Sequence, residues 1–314
     1  MTIDEYVRKF ENVRLNKIGD RARPHKICML LAVLDLARAH GLLENKIFLN
    51  PELIERYVGF FSAVSMPGEK SNPHYPFFYL RGKLSDNTPS FWHIHAISGR
   101  EQKISTLEVK KASDVTMNIE FASLDADLFS LIQDVKNIEI LENSLTNYWF
   151  DRGHSDLRSI VKISGQISSY EGHLRRGELE KLSRKEIESI RNPAFRRVVT
   201  QIYDYRCAAT GLRILLPSGE AMVEAAHLHP FSEAGDDDPR NGLALTPNIH
   251  WAMDKNLIAP GPDKLWHVSR VLDRRIPDFQ ILTSLDGMPL LLPKELRFTP
   301  KEEVLAWRLD RLRR

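Results

Sequence analysis

The 314-residue chain is poor in cysteine, nearly balanced in charge, and without a long apolar run. Its two cysteines, Cys28 and Cys207, form no C-x-x-C pair. That excludes a four-thiolate zinc site, and nothing argues for a disulfide between such distant segments. Cys28 lies in an apolar stretch and belongs to a core. The 44 basic and 42 acidic residues leave a formal charge of +2, so a nucleic-acid partner would have to be met by local rather than global positive charge. No stretch approaches a membrane span. The opening "MTIDEYVRKF" is acidic and amphipathic, unlike a signal peptide. The default expectation is a soluble cytoplasmic protein. Internal repeats and low-complexity tracts are also missing.

Hydrophobic residues make up 42% of the chain, enough for cores in two domains of ordinary size. Residues 2–15 read as a helix, with Thr2 as cap and Ile3, Tyr6, Val7 and Phe10 on one face. After the basic loop "NKIGDRARP", the run "HKICMLLAVLDLARAHG" predicts a second helix. Pro24 suits its first turn, Ile27, Leu30, Leu31 and Leu34 make a buried stripe, and Gly41 suits its stop. Residues 51–63 predict a third. The aromatic segment 72–97 reads as a strand pair turning near Asp86-Asn87, with Pro76 at an edge or bulge. Residues 122–134 read as helical, and "SLTNYWF" closes the unit at about residue 150. Residues 151–191 read as a helical linker. Between 151 and 200 there are 11 basic and 7 acidic residues, a local surplus of four positive charges. A second domain covers residues 192–314.

The chemistry concentrates in "EAAHLHPFSEAGDDDPRNGLALTPNIHWAMD", residues 224–254. Strand signals surround "LRILLPSGEAMVEAAHLHP": an ascending run as first strand, a Pro-Ser-Gly turn, and a second strand ending near His227; a helix follows Pro247, giving the order strand, strand, helix. His250 and Asp254 are four apart, so they share a helix face and can hold one divalent ion from the same side. His227 could face that ion as a neutral imidazole that deprotonates water, while the metal stabilises charge on a scissile phosphate. Asn241 would pin the intervening loop through its amide. Asp236–Asp238 read as a solvated stretch, since consecutive carboxylates do not readily converge on an ion.

In order and spacing, "AAHLHPF…RNGLALTPNIHWAMD" resembles the ββα-metal motif of HNH endonucleases, and "YRCAATG" resembles the entry to that domain in restriction-type members. The resemblance covers about residues 195–260. It implies His227 as general base, Asn241 as the residue ordering the loop, and His250 and Asp254 as metal ligands. Many members carry a metal ligand immediately before the base, where this chain has Ala226. Glu224, two residues earlier, is the substitute, or else water. His229 is a weaker candidate with an ordinary structural role. Mg²⁺ or Mn²⁺ suits the mixed donor set, and such sites also take Ni²⁺ or Zn²⁺.

Specificity then falls to the first 150 residues. "RARPHK" puts Arg21, Arg23, His25 and Lys26 at a helix start, which favours an anion. The aromatic and proline cluster "NPHYPFF" stands just before the basic "RGK". A phosphate oxygen prefers water or hydrogen bonds to an apolar wall, whereas a sulfur in its place is larger and less hydrated.

"TIDEYVRKFENVRLNK", "RPHKICMLLAVLDL", "NPHYPFFYLR", "SFWHI" and "NYWF", in that order, resemble the sulfur-binding domain of phosphorothioate-dependent type IV restriction endonucleases. The resemblance implies a sulfur pocket at Tyr75 and Pro76, completed by one of Phe77, Phe78 or Tyr79. It also implies backbone contacts from Arg23, His25 and Lys26, with Arg81 and Lys83 as further phosphate contacts. The expected fold class is α+β: a mainly helical, winged-helix-like N-terminal domain with a small hairpin, and a C-terminal ββα-metal domain. The expected function is restriction of phosphorothioate-modified double-stranded DNA by a divalent-metal endonuclease. One strand is cut per active site, hence a homodimer. Two rivals remain: an HNH endonuclease reading another mark, such as a modified base, and a DNA-binding protein whose HNH domain is inactive.

Overall fold

The computed structural model describes residues 1–40, 42–152, 154–179 and 188–314. Gly41 and residues 180–187 of the expected linker lie outside the described residues. The chain divides into two compact units. One comprises Met1–Ser169 with Pro217–Gly219, the other Tyr170–Leu216 with Glu220–Arg314. Among the described residues no helix is long and apolar enough to cross a membrane.

The first unit is built around a buried helix. Helix α1 (Ile3–Glu11) opens on a capping box, in which Thr2 and Glu5 satisfy each other's backbone N–H. A two-residue hairpin follows, β1 (Lys17–Ile18) with β2 (Arg21–Ala22). Helix α2 (His25–His40) was expected to bury one stripe. Instead Ile27 through Leu34 are all buried, because the run is apolar on every side and is enclosed by other helices. It packs against α3 (Pro51–Val64), α4 (His74–Tyr79) and α8 (Val135–Phe150).

Helix α4 corrects the strand pair expected over 72–97. Pro76 sits in its first turn, where no backbone N–H is required, so the proline is accommodated. Of the aromatic residues that suggested β structure, Phe77 and Phe78 are buried in the core, whereas Tyr79 is exposed. Strand structure begins later, with β3 (Trp92–Ala96) paired antiparallel to β4 (Ile119–Leu124). Two short helices, α5 (Glu101–Ile104) and α6 (Ala112–Thr116), lie between those strands. Strand β4 takes the start of the segment expected to be helical over 122–134, leaving α7 (Ala126–Leu131) as its helical part.

Helix α9 (Arg158–Arg176) occupies the expected linker, yet its first half is docked on the first unit. Ser164 donates to one oxygen of the buried Asp35 (2.8 Å), and Arg56 of α3 binds the other (2.5 Å) and Ser168 (3.1 Å). An Arg–Asp pair out of water needs such extra partners to offset its desolvation.

The second unit begins with the rest of α9 and α10 (Glu188–Ile202). Strand β5 (Glu224–His227) pairs antiparallel with β6 (Gly242–Leu245), with Ala226 opposite Leu243 and His227 opposite Gly242. The excursion between them holds α11 (Phe231–Ala234) and a 3₁₀ turn over Pro239–Asn241. Helix α12 (Pro247–Asp254) follows directly. The ββα unit is therefore β5–β6–α12. The upstream run expected as its first strand contributes only a bridge between Leu215 and Ala221. A hairpin of β7 (Ile258–Pro260) and β8 (Trp266–Val268), the short α13 (Gln280–Thr283) and α14 (Glu302–Asp310) complete the unit.

Two contacts fix the ββα unit in place. Helix α10 lies so close to β6 that a Cβ on Gly242 would fall 2.7 Å from Val199 Cγ2 and 2.8 Å from Phe195 Cζ. From α14, the buried Arg308 donates to the carbonyls of Leu228 (2.6 Å) and His227 (3.1 Å), with Met253 at 3.5 Å. The basic C-terminal segment thus has Arg308 buried inside the fold. We expect Gly242→Ala to destabilise the protein by about 1–3 kcal/mol, as overpacking of a filled site does. Urea unfolding measures this, and an unchanged midpoint would contradict the close packing.

Candidate active site and nucleic-acid interface

In the second unit an open cleft of about 680 Å³ is lined by residues that include Phe195 and Arg196 of α10, Glu224 and His227 of β5, and Pro247 and His250 of α12. His227 ends β5, and its ring stacks on Phe195 with centroids 3.9 Å apart and planes within 3°. Its Nε2 lies 2.9 Å from Asp237 Oδ1. Asn241 is fully buried and ties the excursion together. It accepts from His229 N–H (2.8 Å) and donates to the carbonyls of His229 (2.9 Å) and Asp236 (3.0 Å). Buried amides carry their full cost unless satisfied, so this one dictates where both ends of the loop run.

The loop is not the solvated stretch that its three aspartates suggested. Asp237 and Asp238 are both buried. Asp238 binds Arg240 and Lys301 and caps the 3₁₀ turn, and these partners together hold its carboxyl below the usual range against the opposing effect of burial. Asp236 lies 3.3 Å from Lys301. Asp237 faces His227 instead, and it is the functional candidate that sequence reasoning missed. His229 stacks on Trp307 (3.9 Å between centroids), a structural placement.

Glu224, His250 and Asp254 are neighbours. His250 Nδ1 is 3.0 Å from Glu224 Oε2, and its Nε2 is 3.5 Å from Asp254 Oδ2. The two carboxylates thus approach opposite ring nitrogens rather than one shared point. Among the described residues no three His, Cys, Asp or Glu side chains are arranged as a metal-binding group. The donor types, one imidazole and carboxylate oxygens, do suit a divalent cation, and both carboxylates are about half exposed. Ala226 is fully buried, and its methyl side chain carries no donor atom for an ion.

In the first unit a cavity of about 310 Å³ gathers Arg23, His25 and Lys26 with Tyr75 and Pro76. Asn16 and Tyr79 complete its lining, so Tyr79 is the member of the aromatic trio that reaches it. Two expected residues lie elsewhere. Phe77 is buried in the core, edge-on to Trp92. Arg81 stacks over the Phe78 ring at 3.9 Å and donates to the Ile104 carbonyl (2.9 Å), which commits it to the fold. Tyr75 is braced by a bond from its hydroxyl to the Lys110 carbonyl (3.0 Å).

The charges in this cavity differ in kind. Arg23 lies 3.7 Å from Glu69, so its charge is already partly matched. Burial lowers the pKa of His25, opposed by the Lys70 carbonyl that its Nε2 meets at 3.1 Å and by Glu69. Lys26 has no carboxylate partner among the described residues. Burial, helped by the like charge of Arg14, brings its pKa down to about 8. A cation without a counterion, set among Tyr75, Pro76 and Tyr79, is suited to an anion that also offers apolar surface.

Residues 207–259 match the family model described as HNH endonuclease. The match spans β5, β6 and α12, so the second unit contains an HNH endonuclease domain. No curated protein matches the chain. Among solved structures it is similar to one described as "Modification dependent TagI restriction endonuclease", with 20% identity and a TM-score of 0.29. That similarity covers 38% of this chain and 37% of the other, so the chain spans little more than a third of that protein's length.

The position of Lys26 sets a pH dependence. Its ammonium is present below about pH 8 and is lost above it, and a bound anion would raise its pKa. We therefore expect affinity for a DNA duplex to be level below about 8 and to fall as pH rises beyond it. Lys26→Met is expected to bind more weakly at neutral pH and to lose this falling limb. Fluorescence anisotropy across that range tests it, and identical pH profiles for the two proteins would remove Lys26 from the interface.

Proposed function

We propose that the protein is a restriction endonuclease that recognises phosphorothioate-modified double-stranded DNA through residues 1–150. Residues 192–314 would hydrolyse phosphodiester bonds nearby, and residues 151–191 join the two parts. The observation that carries the reading is the cavity in which Lys26, with no carboxylate partner among the described residues, meets Tyr75, Pro76 and Tyr79. An unmodified phosphate would lose hydration against such a wall without gaining hydrogen bonds there. A backbone sulfur loses less, while the negative charge it shares with its neighbouring oxygens still meets the ammonium. Asn16, Arg23 and His25 would hold the flanking backbone.

For cleavage, His227 acts as general base and takes a proton from the attacking water. HNH endonuclease domains generally use a divalent metal. The residues that would hold it are Glu224, His250 and Asp254, with Glu224 standing in for the ligand that Ala226 cannot supply. When bound, such an ion stabilises charge on the scissile phosphate and the leaving oxygen. Mg²⁺ or Mn²⁺ fits this oxygen-rich set, and Ni²⁺ or Zn²⁺ would also be accepted. One such site cuts one strand, so a double-strand break calls for a homodimer. A cytoplasmic location, where incoming DNA is met, suits this role.

The test is a gel-shift of one duplex with and without a single backbone phosphorothioate, in the absence of metal and at a salt concentration that suppresses non-specific binding. We expect strong preference for the sulfur duplex. Equal weak binding to both would leave the HNH domain in place and end the sulfur reading. Adding divalent metal should then give nicks near the modification. His227→Ala should abolish them with affinity retained; loss of affinity as well would contradict the division of labour between binding and cleavage.

A further inference from the structure

His227 has two ring nitrogens, and a general base can use only the one that carries a lone pair. The surroundings of the ring decide which. Asp237 Oδ1 lies 2.9 Å from Nε2, and Asp237 is itself almost completely buried. Both of its oxygens are already acceptors. Arg191 Nη1 donates to Oδ1 (2.9 Å) and Oδ2 (3.0 Å), and Tyr170 O–H donates to Oδ2 (3.0 Å). A carboxylate held by these donors can only accept from Nε2, so the neutral imidazole carries its proton on Nε2 and its lone pair on Nδ1. Nδ1 has no protein partner among the described residues, and His227 lines the open cleft.

The positions of these groups are themselves fixed. The chain just before Asp237 is held by the bond from Asn241 to the Asp236 carbonyl (3.0 Å), and the chain just after it by Asp238 with Arg240 and Lys301. Arg191 lies over the Phe231 ring at 3.4 Å, and Phe195 covers one face of the imidazole. Neither the ring nor the carboxylate is free to turn.

We propose that Asp237 is the positioning residue of the hydrolytic site, fixing His227 in the Nε2–H form so that Nδ1 receives the proton of the attacking water, with Arg191 and Tyr170 holding Asp237 in place. The proton of water passes to Nδ1 as the water oxygen bonds to phosphorus. The bond to the leaving sugar oxygen breaks, that oxygen takes a proton from solvent, and the imidazolium returns its own to solvent. Asp237 touches neither phosphate nor water. The inference rests on His227 being the base of the reaction proposed above.

Two measurements test it separately from that reading. A long-range proton–nitrogen NMR spectrum of the full chain, without DNA, reports the tautomer of His227, assigned by the signals that His227→Gln removes. The Nε2–H form is expected, and a predominant Nδ1–H form would overturn the proposal whether or not the protein cuts DNA. In cleavage assays Asp237→Asn is expected to lower kcat by ~10²-fold or more while leaving KM and DNA affinity unchanged. Asp237→Glu should recover part of the loss. Wild-type kcat in a folded Asp237→Asn variant would overturn the proposal, and if that variant does not fold the wild-type tautomer decides alone. A wild type that cuts no DNA in any divalent metal would instead end the nuclease reading, and the tautomer would still judge the role of Asp237.

Discussion

A fully buried amide, satisfied by backbone from both sides of a loop, determines the layout of the proposed hydrolytic site. Asn241 spends its oxygen on His229 N–H and its nitrogen on the carbonyls of His229 and Asp236. Those bonds bring the end of β5 beside the aspartate run, and Asp237 then meets His227 without further search. The other contacts follow from the same placement. Arg308 closes over the carbonyls that leave β5, and Gly242, next in sequence to Asn241, lets α10 approach closely enough for Phe195 to stack on the imidazole. Each group in this unit is positioned by something buried, while the carboxylates of Glu224 and Asp254 stay half in water.

The first unit solves a different problem by a related device. Its cavity sets one poorly hydrated ammonium, Lys26, within an aromatic and proline frame, at the start of a helix whose body is wholly enclosed. Holding a cation there costs desolvation, and the depressed pKa of Lys26 records that cost. Arg23 and His25 stand nearby but share Glu69, so they add less unmatched charge. In the proposed reading, placing the demand for an anion in one residue would make the cavity sensitive to what that anion is made of, rather than only to its charge.

Much of this was legible in the sequence, for identifiable reasons. The cap at Thr2, helices α2 and α3, and the order of His227, Asn241, His250 and Asp254 follow from local pattern. Helix α4 was not legible, because aromatic residues favour strands and Pro76 looks like a breaker. Only its place in the first turn makes it compatible with a helix. The first strand of the ββα unit was sought too early, since an apolar run before a turn reads as a strand whether or not a partner awaits it. Asp237 was hidden for another reason. Its partners Arg191 and Tyr170 lie 46 and 67 residues away, and nothing in three consecutive aspartates tells which one faces inward. Phe77 and Arg81 were expected at the cavity from the resemblance; Phe77 lies on the buried side of α4, and Arg81, beyond its end, is held by the Phe78 ring and the Ile104 carbonyl.

The pairing of Asn241 with Gly242 also bears on how the protein ages. In an extended chain an Asn-Gly step closes readily to a succinimide, since glycine leaves its own nitrogen unshielded, and opening of that ring leaves aspartate or isoaspartate. Here the Gly242 N–H is bonded to the Pro239 carbonyl and the asparagine amide is engaged on both its atoms, so neither reacting group is free to turn toward the other. Deamidation would replace two donated hydrogen bonds with a carboxylate facing two carbonyl oxygens, in a place from which water is excluded. The folded unit thereby protects the bond that the unfolded chain would lose first. A molecule that has once spent long unfolded carries a chemical record of it at the centre of its site.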